Sequence, residues 1–211
     1  RCFPHVINIA VQTALKVLSA LPEFLAADPE YWQVLQNDVV GLARSIVTAC
    51  RASGQRRADF EETIEKGNEN GGWGEPPELL RVVGLLKDVD TRWSSIFLMI
   101  DRVLELYQVI VLRLGVEFEL SYLLLTDLEL QVLRDVRQFL QVPHVVQELV
   151  SAEKTPTLCI VLLYERLIIM LRDLKRQLPK LGHAISAAIR KLEEYLALSR
   201  CAPIYALAMG Q

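Results

Sequence analysis

The chain has 211 residues, 52% of them hydrophobic and 23% charged, with a formal net charge of −3. That balance belongs to a globular protein: it excludes a disordered chain, and it excludes nucleic-acid binding driven by overall charge, so any DNA contact has to come from a local patch. Four cysteines (Cys2, Cys50, Cys159, Cys201) at wide, unpatterned spacings exclude a disulfide framework and point to a reducing, intracellular setting. The most apolar stretch, Leu158 to Leu171, is broken by Glu165 and Arg166. It falls short of the roughly 18 to 20 apolar residues that a membrane span needs. The chain opens on Arg1 and closes on Gly210-Gln211 just after the apolar run Ile204 to Met209, so both ends read as cuts through something continuous.

Helical periodicity runs through the sequence. Val6, Ile9, Ala10, Thr13, Val17 and Leu21 fall on one face of a first helix that ends near Pro22. Asp28-Pro29-Glu30 is a helix start, with a capping carboxylate followed by proline at the first helical position. The stripe Leu35, Val39, Leu42, Ile46 and Ala49 carries that helix on to Gly54 as its C-cap. A short polar helix is expected over Arg57 to Lys66, anchored by Phe60 and Ile64. Between Gly67 and Pro77 the pattern dissolves into four glycines, two asparagines and Pro76-Pro77: a loop in which Trp73 has no periodic context. Leu79 to Leu86 is apolar and fits a strand or a helix equally.

Thr91 can cap one long helix with the stripe Trp93, Phe97, Ile100, Leu104, Tyr107, Val111 and Leu114. Thr126-Asp127-Leu128-Glu129 has the form of a capping box, in which the Thr and Glu side chains each satisfy the other's free backbone N–H. Behind it come Val132, Val136, Phe139 and Leu140. Pro143 should kink or end that helix, and Val146 and Leu149 resume the stripe. Thr155-Pro156 opens another helix, apolar at Val161, Tyr164, Leu167, Ile168, Leu171, Leu174 and Leu178. The last carries Leu181, Ile185, Ala188, Ile189, Leu192 and Leu196 and stops before Pro203. The expected fold class is an all-α multi-helix bundle of about six to eight helices.

Catalytic chemistry is hard to place in this sequence. Cys2-Phe3-Pro4-His5 has the spacing of half a zinc site, but zinc takes about four ligands and no second short-spaced pair follows, so a locally packed Cys and His is the simpler reading. Cys50 lies on an apolar stripe and reads as core. Nucleophile elbow, phosphate-binding glycine loop and His-Glu-x-x-His pair are all missing. Asp88, Asp90 and Asp101 are close in sequence, which does not make them converge as a two-metal site requires. Arg92-Trp93 has two readings. At a helix N-terminus the ring could stack on an unpaired base while the guanidinium holds a phosphate; alternatively the ring opens the buried stripe and the arginine faces solvent.

The order of several motifs carries a resemblance. Arg1-Cys2-Phe3-Pro4-His5-Val6-Ile7-Asn8 is similar to the Cys-x-x-His segment of hAT-family DNA transposases. Asp88-Val89-Asp90-Thr91-Arg92-Trp93-Ser94-Ser95 resembles the family's Thr-Arg-Trp-Asn-Ser element, with Ser94 where asparagine is usual. Ser53 to Arg57 with Phe60, Lys154 to Leu158, and Ser199 to Met209 are similar to the segments that lie between and after them. The resemblance implies a ribonuclease H-like catalytic region interrupted by an all-α insertion. It divides this chain into an N-terminal helical segment with the Cys-x-x-His motif (1–66), the Gly/Pro-rich loop (67–77) and an insertion-type helical domain that contains the Thr-Arg-Trp element (78–211).

In that family three acidic residues bind divalent metal, such as magnesium, and drive strand cleavage and transfer. None of the three positions exists in this chain, so no catalytic residue, metal site or cofactor is assigned to it. The resemblance implies that Trp93, with Arg92 beside it, supports a DNA hairpin, and that Cys2 and His5 support the active centre without binding zinc. It also implies DNA as partner, a possible homo-oligomer of the parent protein and a nuclear location, with no membrane and no small-molecule substrate. The expected function is that of a transposase-like fragment, not an enzyme on its own. The alternative is a decayed or domesticated helical module used for protein–protein interaction or oligomerisation.

Overall fold

A computed structural model describes residues 3–20, 28–89, 92–116, 118–152 and 160–200 of the chain. It is all-α, with no strand among the described residues. The helices are α1 (Phe3–Val17), α2 (Pro29–Gln36), α3 (Val39–Cys50), α4 (Gly54–Glu69), α5 (Trp93–Glu105), α6 (Tyr107–Val116), α7 (Asp127–Ala152), α8 (Ile160–Gln177) and α9 (Gly182–Arg200). Short 3-10 segments at Phe118–Leu123 and Pro179–Leu181 join α6 to α7 and α8 to α9. The contacts divide the chain into two compact units. The first is Arg1–Asn37 together with Asp135–Gln211, the second Asp38–Arg134, which contains the whole 67–77 loop.

In the first unit α1 packs along α9, and α9 along α8. The buried face of α1 is Phe3, Val6, Ile7, Ala10, Val11 and Ala14. It is turned from the expected stripe: Ile9, Thr13 and Val17 are only half-buried, while Ile7, Val11 and Ala14 point inward. Asn8, Gln12 and Lys16, four residues apart, mark the outward face, and the buried face lies opposite them. Phe3 meets Tyr164 edge to face, centroids 4.6 Å apart at 87°, a favoured arrangement of two ring quadrupoles. The stripes of α8 and α9 are buried as expected from Tyr164 to Leu178 and from Leu181 to Leu196. Pro143 does not end α7, which continues to Ala152. The proline ring is buried in the same apolar pocket as Ile7, Ala10 and Val11 of α1 and Leu167 of α8, and this packing offsets the hydrogen bond it cannot donate.

The N-terminus of α2 forms as its sequence requires: the Asp28 carboxylate accepts from Tyr31 N–H at 3.0 Å, and Pro29 opens the helix. Lys180 pairs with Asp28 at 2.7 Å and lies over the Tyr31 ring, 4.7 Å from its centroid. The Lys180 hydrogen bond, reinforced by the Tyr31 N–H, holds the Asp28 carboxyl below the usual carboxylate range. Tyr31 is buried and donates to Asp135 at 2.8 Å. Burial, then that bond to a carboxylate, pushes the phenol upward, so it remains a donor at physiological pH.

Two expected helices are each broken into two. The stripe from Leu35 to Ala49 does not belong to a single helix. Asp38 adopts a left-handed conformation (φ 51°) and its carboxylate accepts from Gly41 N–H at 3.0 Å, ending α2 and capping α3. Aspartate tolerates that region better than most residues and satisfies an orphan donor while doing so. Gly54 is not a C-cap: Ser53 accepts from Arg56 N–H at 3.1 Å, and Gly54 is the first residue of α4. That helix is longer than expected at both ends, with Phe60 and Ile64 its buried anchors. The long helix expected from Trp93 to Leu114 breaks at Leu106. The break shifts the phase: Leu106, Val109 and Ile110 are fully buried, and Val111 is exposed.

The loop after α4 is ordered by side chains. Trp73 and Glu78 exchange backbone hydrogen bonds, each at 2.8 Å, and the Trp73 ring rests on Gly67. A Cβ at position 67 would collide with the indole, which is why α4 has a glycine in its last turns. The Tyr107 hydroxyl clamps Leu125, accepting from its N–H at 2.8 Å and donating to its carbonyl at 3.0 Å. The capping box follows as expected: Thr126 N–H donates to the Glu129 carboxylate at 2.7 Å and Glu129 N–H to Thr126 Oγ1 at 3.2 Å.

Candidate nucleic-acid interface

The Arg92-Trp93 pair is positioned by the segment before it. Residues 79–88 form neither the strand nor the helix that the apolar run Leu79 to Leu86 left open, and they connect the loop after α4 to the turn before α5. Side chains hold them to the helices. Asn68 of α4 donates to the Leu80 carbonyl at 2.8 Å and accepts from Leu80 N–H at 2.9 Å. Arg102 of α5 donates to the Gly84 carbonyl at 2.9 Å, and Arg51, at the end of α3, donates to the Leu85 carbonyl. Leu85 is the one residue of the segment driven fully into the core. Arg44 of α3 pairs with Asp88 at 2.7 Å.

The chain then turns sharply into α5. Arg92 N–H donates to the Val89 carbonyl at 2.8 Å. Ser95 Oγ accepts from Val89 N–H at 2.7 Å and lies 2.6 Å from the Arg92 carbonyl, to which it donates. Ser95 therefore organises this turn, and Asp88 ties it to α3. Neither role was read from the sequence, although both residues lie inside the Asp88–Ser95 motif; a motif shows which residues go together without showing which of them hold the backbone. The expected cap Thr91, and Asp90, lie outside the described residues.

Arg92 is the N-cap residue of α5, exposed, with no side-chain cap bond and no ion pair among the described residues. Trp93 is only 2% exposed. A ring so enclosed presents no face to an external base, so its burial favours the core reading, with Trp93 as the root of α5 and Arg92 outside it. The second unit contains 11 Lys and Arg against 16 Asp and Glu, so it supplies no general attraction for a polyanion.

His5 is exposed on the first turn of α1, and Cys2 lies outside the described residues. These two belong to the first unit, Arg92 and Trp93 to the second. Cys50 is buried on α3, as a core residue should be. Among the described residues no three His, Cys, Asp or Glu side chains converge as a metal ion would need, and no helix is long and apolar enough to cross a membrane. The segments Lys154 to Leu158 and Cys201 to Met209, which shared in the resemblance, are outside the described residues.

One ionic site braces this segment. Arg81 grips Glu105 of α5 through two bonds of 2.8 Å, and Arg102 approaches the same carboxylate at 3.1 Å. The Arg81 bonds, with the charge of both guanidiniums, hold the Glu105 carboxyl below the usual range. Because the folded pKa is the lower one, this site stabilises the fold above the ordinary carboxylate pKa and loses its contribution as pH falls through the folded value. Glu105→Gln should cost on the order of 1 kcal/mol at pH 7, and the difference from the parent should shrink on acidification. Urea midpoints at pH 7 and pH 3 check this; a difference of the same size at both would remove the ionic explanation.

A family model described as the ZBED1 RNase-like helical domain matches residues 1–139, which include the whole second unit and both motifs. No curated protein and no solved structure matches the chain.

Proposed function

Because the chain belongs to the ZBED1 RNase-like helical domain family, we propose that it is a non-catalytic helical module of an hAT transposase-like protein whose ancestral role is DNA binding and transposition. The metal-binding acids, and the divalent metal they would hold, belong to other parts of such a protein. The nucleus is the compartment this role requires.

The observation that supports the reading is the Asp88–Ser95 turn. Five side chains from α3, α4 and α5 fix the segment leading into it, and it ends with a guanidinium projecting at the start of α5. In this reading Arg92 meets a DNA phosphate and Trp93 positions it from beneath. Fluorescence anisotropy with a labelled DNA hairpin tests this. Arg92→Ala should weaken binding and reduce the salt slope by about one, and Arg190→Ala, at an exposed position of α9, should leave both unchanged. Equal affinity for the parent and Arg92→Ala would sink the assignment, as would a parent that binds no hairpin.

The second reading, a domesticated interaction module, is favoured by exposed apolar residues of the first unit: Val145 and Leu149 on α7, Leu162 and Ile169 on α8, and Leu198 on α9. Sedimentation that shows a monomer at high concentration would count against self-association through them.

A further inference from the structure

We infer that the groove between α8 and α9 receives α8 of a second copy of this chain, running antiparallel, in a twofold-symmetric pair. This pairing rests on the interaction reading rather than on the DNA contact, and it gives that reading a surface and a partner.

Three observations support the inference. On the outward side of α8, Leu162, Glu165, Ile169 and Arg172 follow one another at steps of three and four residues, so they form a single stripe. Glu165 is half-buried and the other three are exposed, the apolar Leu162 at 57% and Ile169 at 47%. Beside the stripe lies a groove of about 370 Å³, with Leu196 and Ala197 of α9 on its far side. The small side chain of Ala197 leaves room there for a large one from outside. The ion pair of Arg172 with Glu193, at 2.6 Å, bridges the two walls. Finally, Glu165 and Arg172 stand seven residues apart on either side of Ile169, two turns or about 10 Å along the helix.

Those charges decide the occupant. A twofold axis brings residue i of one copy against residue j of the other, and j against i. With the axis beside Ile168 and Ile169, Glu165 of each copy meets Arg172 of the other, so one stripe supplies both ion pairs. Ile169 of each copy then enters the groove of the other, and Leu162, one heptad earlier, extends the apolar contact along the seam. A different protein would need these charges in reverse order; a second copy already carries them. Nucleic acid offers no side chains for Leu162 and Ile169, and Glu165 and Glu193 would repel its phosphates. With two bare apolar residues per copy, the pair belongs to the weak end of specific interfaces.

Sedimentation equilibrium of the whole chain tests this. The parent should dimerise as its concentration rises. Glu165→Arg and Arg172→Glu, both outside the core, should keep the helical circular dichroism. Each should weaken self-association by about tenfold or more, because either reversal sets like charges together on both sides of the axis. An equimolar mixture of the two variants should recover the parent's affinity, since every reversed charge then meets its opposite. A parent that stays monomeric up to about 1 mM overturns both the pairing and self-association as such, and leaves the groove to a different polypeptide. A parent whose dimerisation is unmoved by either reversal overturns the pairing alone, and so do variants that weaken it but do not recover on mixing: self-association then uses other residues.

Discussion

Trp93→Ala lowers the stability of the second unit by about 3 to 5 kcal/mol, the range for removing a fully packed large aromatic. The ring is 2% exposed at the start of α5, followed on the buried face by Ile96, Phe97, Met99, Ile100 and Val103. Its removal leaves a cavity at the point where α5 leaves the Val89–Arg92 turn, and with it the hold on Arg92. A domain of this size has about 5 to 15 kcal/mol in total, so the variant should be partly unfolded at moderate denaturant. Urea denaturation followed by far-ultraviolet circular dichroism measures it. A variant within about 1 kcal/mol of the parent would mean that the ring is not a core anchor, and the stacking reading would regain its ground.

Leu85→Ala should cost about 2 to 5 kcal/mol, and its consequences should reach further than the size of the side chain suggests. Leu85 is 1% exposed and is the only fully buried residue between Leu79 and Val89. The other fastenings of this segment are hydrogen bonds and ion pairs, several with exposed partners, which individually contribute little. Proteolysis should report the change: the variant is cut first near Arg81 or Lys87, at trypsin concentrations that leave the parent intact. Trypsin cutting first elsewhere would show that Leu85 is not what seats the segment.

The sequence was most informative where one residue type performs one local task. Asp28 before Pro29, and Thr126 three residues before Glu129, satisfy orphan helix donors in the way their spacing implies. The stripes of α8 and α9 were legible because their apolar residues recur at helical spacing between charged ones, although Leu162, Ile169 and Leu198 lie exposed beside them. Helix breaks without glycine or proline were not. Asn37-Asp38 and Leu106 interrupt stripes that remain apolar on both sides, and only the three-dimensional fit shows that the chain must turn there. In α1 the polar residues Asn8, Gln12 and Lys16 marked the outward face, yet the expected stripe took in Ile9, Thr13 and Val17, which border that face and are only half-buried. At the candidate site, Arg92 and Trp93 could be picked out in sequence, but which of them faces outward was a matter of burial. Ser95 and Asp88 had no individual signal, since a serine hydroxyl and a surface carboxylate acquire meaning only from the backbone turn they fasten.

The pairing of α1 with α9 has a consequence for synthesis. The second unit is contiguous, and its chain is complete once Arg134 has been made. The first unit packs residues from Phe3 onward against a helix that ends at Arg200, a separation that makes closure late and slow. At roughly 5 to 20 residues per second, α1 waits roughly 3 to 13 seconds after the second unit is complete before α9 exists. Throughout that interval Phe3, Val6, Ile7, Ala10 and Val11 have no α9 to cover them. A nascent chain stalled after Arg134 should therefore bind a chaperone that recognises apolar helices, and one released after α9 should not.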